Sequence, residues 1–192
     1  MSIVCIGDSL TFGYGVKESD NWVNILSLKT KKKFINKGIP GNTTFEMKDR
    51  FIQDVINENP SKVLIMGGKN DIFLKKDINT ILKNIESMIK LCNINNIEPL
   101  LLTPLIVNEN ISVKQWFKDR DYKEVNVSLT KFRKLLVEFA NIRNINCIDL
   151  SHLLLKKKNV ERYFLDDGIH ISRDIHKEMA EFIFSSKPNL LC

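Results

Sequence analysis

Residues 3–15 read Ile3-Val4-Cys5-Ile6-Gly7-Asp8-Ser9-Leu10-Thr11-Phe12-Gly13-Tyr14-Gly15. Four apolar residues stop at Gly7, a polar pair follows, and a loop with Gly13 and Gly15 comes next. A short, continuous apolar run suits a strand buried on both faces of a sheet. Ser9 then stands just past the carboxyl end of that strand. It is either a helix cap or turn residue, or a nucleophile, and this stretch alone admits both readings.

Similar runs recur along the chain at Phe34–Ile35, Val63–Met66, Leu100–Leu102 and Cys147–Leu150. Helical periods lie between them. One is carried by Trp22, Ile25 and Leu26, and another by Phe51, Ile52 and Val55 behind a capping-box match at Thr43-Thr44-Phe45-Glu46. Ile78, Ile81, Leu82, Ile85, Ile89 and Cys92 form a third. Tyr122, Val125, Leu129, Phe132, Leu136 and Phe139 form the clearest, with spacings of three and four. A last helix starts near Ser172 and carries Ile175, Met179, Phe182 and Ile183. Strands alternating with helices predict a parallel sheet covered on both faces, an α/β/α sandwich with three layers. Ligands of such folds bind beyond the carboxyl ends of the strands.

The chain has 192 residues, enough for one domain over 1–192 with a full core. Hydrophobic residues make up 43% and charged residues 27%, as in ordinary globular proteins. No apolar stretch has the length of an integral membrane segment. The start, Met1-Ser2-Ile3-Val4, has no basic n-region, so a cytoplasmic location is expected. Cys5, Cys92, Cys147 and Cys192 lie far apart and read as free thiols; no metal is expected from clustered Cys or His. The net charge of +6 comes from short lysine bursts at 31–33, 75–76 and 156–158, broken by acids. They read as solvated surface, so no nucleic-acid partner is expected.

The polar oddities all follow strands. Gly7-Asp8-Ser9 follows the first, Gly41 and Thr43 lie past the second, and Gly67-Gly68-Lys69-Asn70-Asp71 follows the third. The segment after the fifth ends in Asp166-Asp167-Gly168-Ile169-His170. Acyl transfer needs these parts. A serine hydroxyl requires an adjacent base, the base requires a carboxylate to fix its tautomer, and donors must face the developing oxyanion. Ser9, His170 and Asp167 supply the first three. The N–H groups of Ser9 and Gly41 and the amide of Asn70 supply the donors.

The blocks GDSLT (7–11), GNTT (41–44), GKND (68–71) and DGIH (167–170) together resemble the GDSL, or SGNH, hydrolase family. The family's four signature residues fall on Ser9, Gly41, Asn70 and His170, and its Asp-x-x-His block begins at Asp167. The resemblance implies a flavodoxin-like fold with five parallel strands in the order 2-1-3-4-5. It also implies hydrolysis of small-molecule esters or thioesters without a metal or cofactor. Lys69 fills the family's variable position and would place a cation beside Asn70, where it biases acyl or headgroup choice. Thr11 stands where the α/β-hydrolase elbow needs glycine, so Ser9 is expected on a less strained turn near a short helix.

Each residue has a plainer reading. Asn70-Asp71 also suits a turn that closes the third strand, with Asp71 structural. His152 and His176 rival His170, but His152 lacks a carboxylate at the family spacing and His176 falls inside the last helix. Asp166 rivals Asp167. The long segment 104–121 carries Trp116 and Phe117, which either wall the acyl pocket with Asp8 and Lys69 or anchor the segment to the core. Lys114, Lys118 and Arg120 either meet an anionic leaving group or stay solvated. The expected activity is that of a small serine esterase for short acyl esters. A thioesterase or lysophospholipase, a sugar O-acetyl esterase, a catalytically silent binding module and a flavin carrier are the alternatives.

Overall fold

The computed structural model describes residues 2–111, 115–155 and 157–187. Lys114, Lys156 and Cys192 lie outside them. Five strands, β1 (Ser2–Gly7), β2 (Lys33–Gly38), β3 (Lys62–Met66), β4 (Glu98–Leu102) and β5 (Asn146–Ile148), form one parallel sheet in the order β2-β1-β3-β4-β5. The helices are α1 (Ser9–Phe12), α2 (Trp22–Thr30), α3 (Thr44–Asp49), α4 (Phe51–Asp54), α5 (Lys69–Phe73), α6 (Ile78–Ile94), α7 (Tyr122–Ile142), α8 (His152–Leu155) and α9 (Arg173–Ser186).

Alternation along the strands divides the core. Val4, Ile6, Val63, Ile65 and Leu101 face α3 to α7, whereas Ile3, Cys5, Leu64, Met66, Leu100 and Leu102 face α1, α2, α8 and α9. The periods read for α6 and α7 match their buried faces, which include Ile81, Ile85, Ile89 and Cys92 and then Val125, Leu129, Phe132 and Leu136. Among the described residues no helix is long and apolar enough to cross a membrane. Cys5 and Cys92 are buried and Cys147 is half-buried, and all three are free thiols.

Besides small shifts at the ends of β1, β3 and β4, three elements differ from the sequence reading. β2 runs from Lys33 to Gly38 and is half-exposed at the sheet edge, so its polar residues hid it from an apolar criterion. β5 stops at Ile148 because Leu150 N–H leaves the ladder and donates to the Thr103 hydroxyl at 2.9 Å. The single helix expected from Thr43 to Val55 breaks at Arg50 into α3 and α4. The break changes the phase, leaving Ile52 56% exposed while Phe51 and Val55 are buried.

β1 pairs with β2 on one side and β3 on the other, with Gly7 opposite Gly38 and Met66. The chain leaves β1 in one direction and, after β2, crosses back over it to β3. A crevice opens where the loops part, at the carboxyl end of the sheet.

His176, on α9, supports this region from below. It is 1% exposed, and its Nδ1 accepts from Trp22 N–H at 3.4 Å. Trp22 in turn donates its indole N–H to the Leu10 carbonyl at 3.0 Å. Burial pushes the imidazole down from 6.5 to about 4. The unfolded chain therefore takes up this proton first as pH falls. Stability present above pH 6.5 is lost between that pH and about 4, by roughly 3 kcal/mol. Urea unfolding of the natural chain and of His176→Gln over this range checks it: the variant should show the shallower acid loss, and parallel curves would refute the assignment.

Candidate active site

β1 delivers Ser9 to the crevice. Asp8 caps α1, accepting from Leu10 N–H at 2.9 Å, which makes Ser9 the first residue of the helix. Gly38 lets α1 lie directly on the end of β2, since a Cβ there would meet Phe12 N at 2.1 Å. From the other side, the Asn21 amide donates to the carbonyls of Thr11 at 3.0 Å and Phe12 at 2.8 Å. The turn that carries Ser9 is thus held on two sides.

His170 and Asp167 arrive on a tight hairpin. Phe164 and Ile171 form an antiparallel bridge, and Leu165 N–H donates to the His170 carbonyl at 2.8 Å. The segment after β4 docks on this hairpin through Asn108 N–H, which donates to the Gly168 carbonyl at 2.7 Å. Asp167 Oδ1 accepts the N–H groups of Ile169 and His170, both at 2.9 Å. Its Oδ2 lies 2.6 Å from His170 Nδ1, and His170 Nε2 lies 2.8 Å from Ser9 Oγ. A carboxylate at Nδ1 selects the tautomer with its proton there, so Nε2 accepts from the Ser9 hydroxyl. Burial pushes the Asp167 carboxyl up, but the His170 ring and the two N–H groups outweigh it and hold it below the usual carboxylate range. Asp166, its rival, is exposed. Tyr14 covers the imidazole, with ring centroids 4.3 Å apart and a 33° tilt.

The third part of the crevice is the turn Ile39-Pro40-Gly41-Asn42, closed by Asn42 N–H donating to the Ile39 carbonyl at 3.2 Å. Proline second and glycine third, with φ of 83° at Gly41, make it a type II turn. A Cβ on Gly41 would meet nothing within 4 Å, so backbone conformation and not space requires glycine there. Asn70, in the first turn of α5, donates its amide to the Asn42 carbonyl at 2.9 Å. Asp71 accepts from Thr44 N–H at 2.9 Å and Thr44 Oγ1 at 2.7 Å, which fastens α5 to α3. The structure thus brings Ser9, His170 and Asp167 into one hydrogen-bonded chain and ties Asn70 to the Gly41 turn.

The pocket candidates fall differently. Asp8 is buried at the turn that carries Ser9, and burial raises its carboxyl while Leu10 N–H and the Lys69 charge partly offset this. Phe117 stacks on Phe73 at 4.4 Å and anchors the long segment to the core. Trp116 is 47% exposed, and its carbonyl accepts from the Tyr122 hydroxyl at 2.7 Å. His152 and Lys118 are exposed and Arg120 is half-buried. Among the described residues no group of three or more His, Cys, Asp or Glu gathers as metal ligands would. Tyr14 and Arg50 stand beside the site without having been singled out in the sequence, and Asn42, inside the GNTT block, was assigned no role there. The glycines around Tyr14 and the GNTT block itself were the available signals.

Lys69 is 2% exposed and points inward, donating to the Ile169 carbonyl at 3.3 Å. Burial lowers its ammonium from 10.5 to about 8, against the opposing charges of Asp8 and Asp167. The folded protein therefore releases this proton before the unfolded chain does. The burial penalty is full below pH 8 and is relieved between 8 and 10.5, by roughly 3 kcal/mol. Stability measured across that range should rise in the natural chain relative to Lys69→Met; equal slopes would show that the ammonium is solvated.

The model of the GDSL-like lipase/acylhydrolase family matches residues 5–178. A solved protein assigned to the lipolytic G-D-S-L family of Desulfitobacterium hafniense DCB-2 superposes with a TM-score of 0.80 and 27% identity, covering 95% of this chain and 97% of that one. An uncharacterized lipoprotein, YqeF, of Bacillus subtilis (strain 168) is 36% identical over 76 residues, 36% of this chain and 31% of its own length. An acetylxylan esterase of Geobacillus stearothermophilus is 44% identical over 46 residues, 24% of this chain and 21% of the esterase. The matched stretches thus span less than a third of these two curated relatives. With its family match over most of the length and its five-stranded sheet in the order 2-1-3-4-5, the chain belongs to the GDSL-like lipase/acylhydrolase family.

Proposed function

We propose that the protein is a serine hydrolase that cleaves small carboxylic esters with short acyl groups. The observation that carries this reading is the continuous chain from Ser9 Oγ through His170 to Asp167, with steps of 2.8 and 2.6 Å. Ser9 Oγ attacks the acyl carbonyl while His170 Nε2 takes its proton. Asp167 keeps the Nδ1 proton in place and stabilises the imidazolium that forms. The N–H groups of Ser9 and Gly41 and the Asn70 amide receive the oxyanion, each donor worth about a hundredfold in rate or more. His170 then protonates the leaving alcohol, which departs and leaves an acyl-Ser9 ester. Water, deprotonated by His170, attacks that ester; the acid leaves and Ser9 regains its proton.

Short acyl groups are favoured because the compact chain leaves little room for a large lid. The similarity to an acetylxylan esterase over 46 residues supports a second reading, removal of O-acetyl groups from sugars.

A fluorophosphonate that phosphonylates activated serines tests the mechanism. It should label Ser9 in the natural chain, and labelling should be absent from Ser9→Ala and strongly reduced in His170→Ala. Hydrolysis of 4-nitrophenyl acetate should fall by roughly 10⁴-fold or more in either variant. Labelling that survives both changes would overturn the assignment. For acyl preference, kcat/KM should fall from acetate to hexanoate to longer esters. A rise with chain length would select a thioesterase or lysophospholipase instead.

A further inference from the structure

Arg50 lies outside every sequence block that points to the site, yet its guanidinium joins two of the segments that build it. Nη2 donates to the Gly7 carbonyl at 3.0 Å, at the end of β1 and two residues before Ser9. Nε donates to Asn42 Oδ1 at 2.7 Å, on the residue after Gly41. Nη1 is paired with Asp54, one helical turn further on. The Asn42 carbonyl meanwhile accepts from the Asn70 amide at 2.9 Å, and Ile39 N–H donates to the same Gly7 carbonyl at 3.1 Å. A closed ring of hydrogen bonds therefore runs from Gly7 to Arg50, to Asn42, through the Ile39–Asn42 turn and back to Gly7, and Asn70 is attached at Asn42.

We infer that Arg50 is a positioning residue for the oxyanion hole, holding the Gly41 turn and the Asn70 amide in register with the Ser9 turn through Asn42 and the Gly7 carbonyl.

The turn needs such a hold. Ile39, Pro40 and Gly41 are exposed, and no side chain packs where a Gly41 Cβ would be. Packing cannot fix the direction of the Gly41 N–H, so hydrogen bonds must. A guanidinium suits the task because it is planar and always charged, and it offers donors in a rigid fork to several acceptors at once. Lysine would reach one of the three partners. The position also explains the break between α3 and α4, which falls at Arg50 itself, with φ of −88° and ψ of 3°. Misplacing a donor by an ångström costs up to about a hundredfold in rate without changing what the site binds.

This inference rests on the oxyanion role proposed for Gly41 and Asn70, and two readouts separate the two claims. The first is kinetic. In Arg50→Met, kcat for 4-nitrophenyl acetate should fall about tenfold to a hundredfold while KM stays within about twofold. Arg50→Lys should fall between the variant and the natural chain, and methylguanidinium added to Arg50→Ala should restore part of the lost kcat. The second is hydrogen exchange at Asn42 N–H, which closes the turn. Exchange there should speed up about tenfold or more in Arg50→Met while β1 and β3 stay protected. Unchanged exchange at Asn42 would overturn the inference, as would a loss of kcat that merely follows unfolded protein. If no Ser9-dependent hydrolysis exists in the natural chain, the proposed function fails and the exchange measurement still decides whether Arg50 holds the turn. Arg50→Lys keeps the charge beside Asp54 and serves where Arg50→Met does not fold.

Discussion

The position of β1 between β2 and β3 is the constraint on which the rest depends. Because the chain leaves β1 toward one neighbour and later returns to the other, the loops after β1 and β3 separate above the middle of the sheet. Backbone groups at the ends of parallel strands have no further strand to pair with. Here they find partners close by: the Gly7 carbonyl takes Ile39 N–H and the Arg50 guanidinium, and the Asn42 carbonyl takes the Asn70 side-chain amide. The crevice is therefore built from backbone that had to be satisfied locally. The polar side chains in it occupy the places that this accounting leaves open.

Burial and hydrogen bonding compete in each buried ionisable group, and the balance differs from one to the next. Asp167 receives two backbone N–H groups and an imidazole, and its carboxyl lies below the usual range despite burial. Asp8 receives Leu10 N–H, and burial prevails to raise it. Asp71 receives the Thr44 amide and hydroxyl and is raised as well. Lys69 has a single hydrogen bond at 3.3 Å, and desolvation prevails over the charges of Asp8 and Asp167. The same crevice thus contains one carboxyl held below its ordinary range, two that burial raises and an ammonium that burial lowers. The lowered carboxyl faces the His170 imidazole at Nδ1.

The parts of the molecule legible in the sequence were those whose signal is local. Apolar runs marked β1, β3 and β4, and three-four spacing marked α6 and α7, because a buried face repeats with the period of its own backbone. Gly7-Asp8-Ser9, Gly68-Lys69-Asn70 and Asp167 to His170 could be read because each follows a strand or carries its partner three residues away. What stayed hidden depends on contacts across the fold. Arg50 looks like any polar helical residue, and only the return of the chain beside β1 gives it the Gly7 carbonyl. Lys69 was expected to face the substrate, yet the direction of its side chain is set by the Ile169 carbonyl, 100 residues away in sequence. The edge strand β2 concealed itself because a half-exposed strand has no reason to be continuously apolar.

The thiols described with the core have a consequence for labelling chemistry. Burial raises the Cys5 thiol well above its ordinary value and pushes those of Cys92 and Cys147 up to about 12. The thiolate is the reactive form, and at neutral pH these three groups supply almost none of it while the sheet is closed. Thiol reagents therefore reach these three groups as the fold opens. Cys5 lies on β1, four residues before Ser9, so its alkylation by a thiol reagent reports the opening of β1, the strand that leads into the crevice. The Cys5 thiol thus keeps a clock for the integrity of β1, the strand that ends just before Ser9.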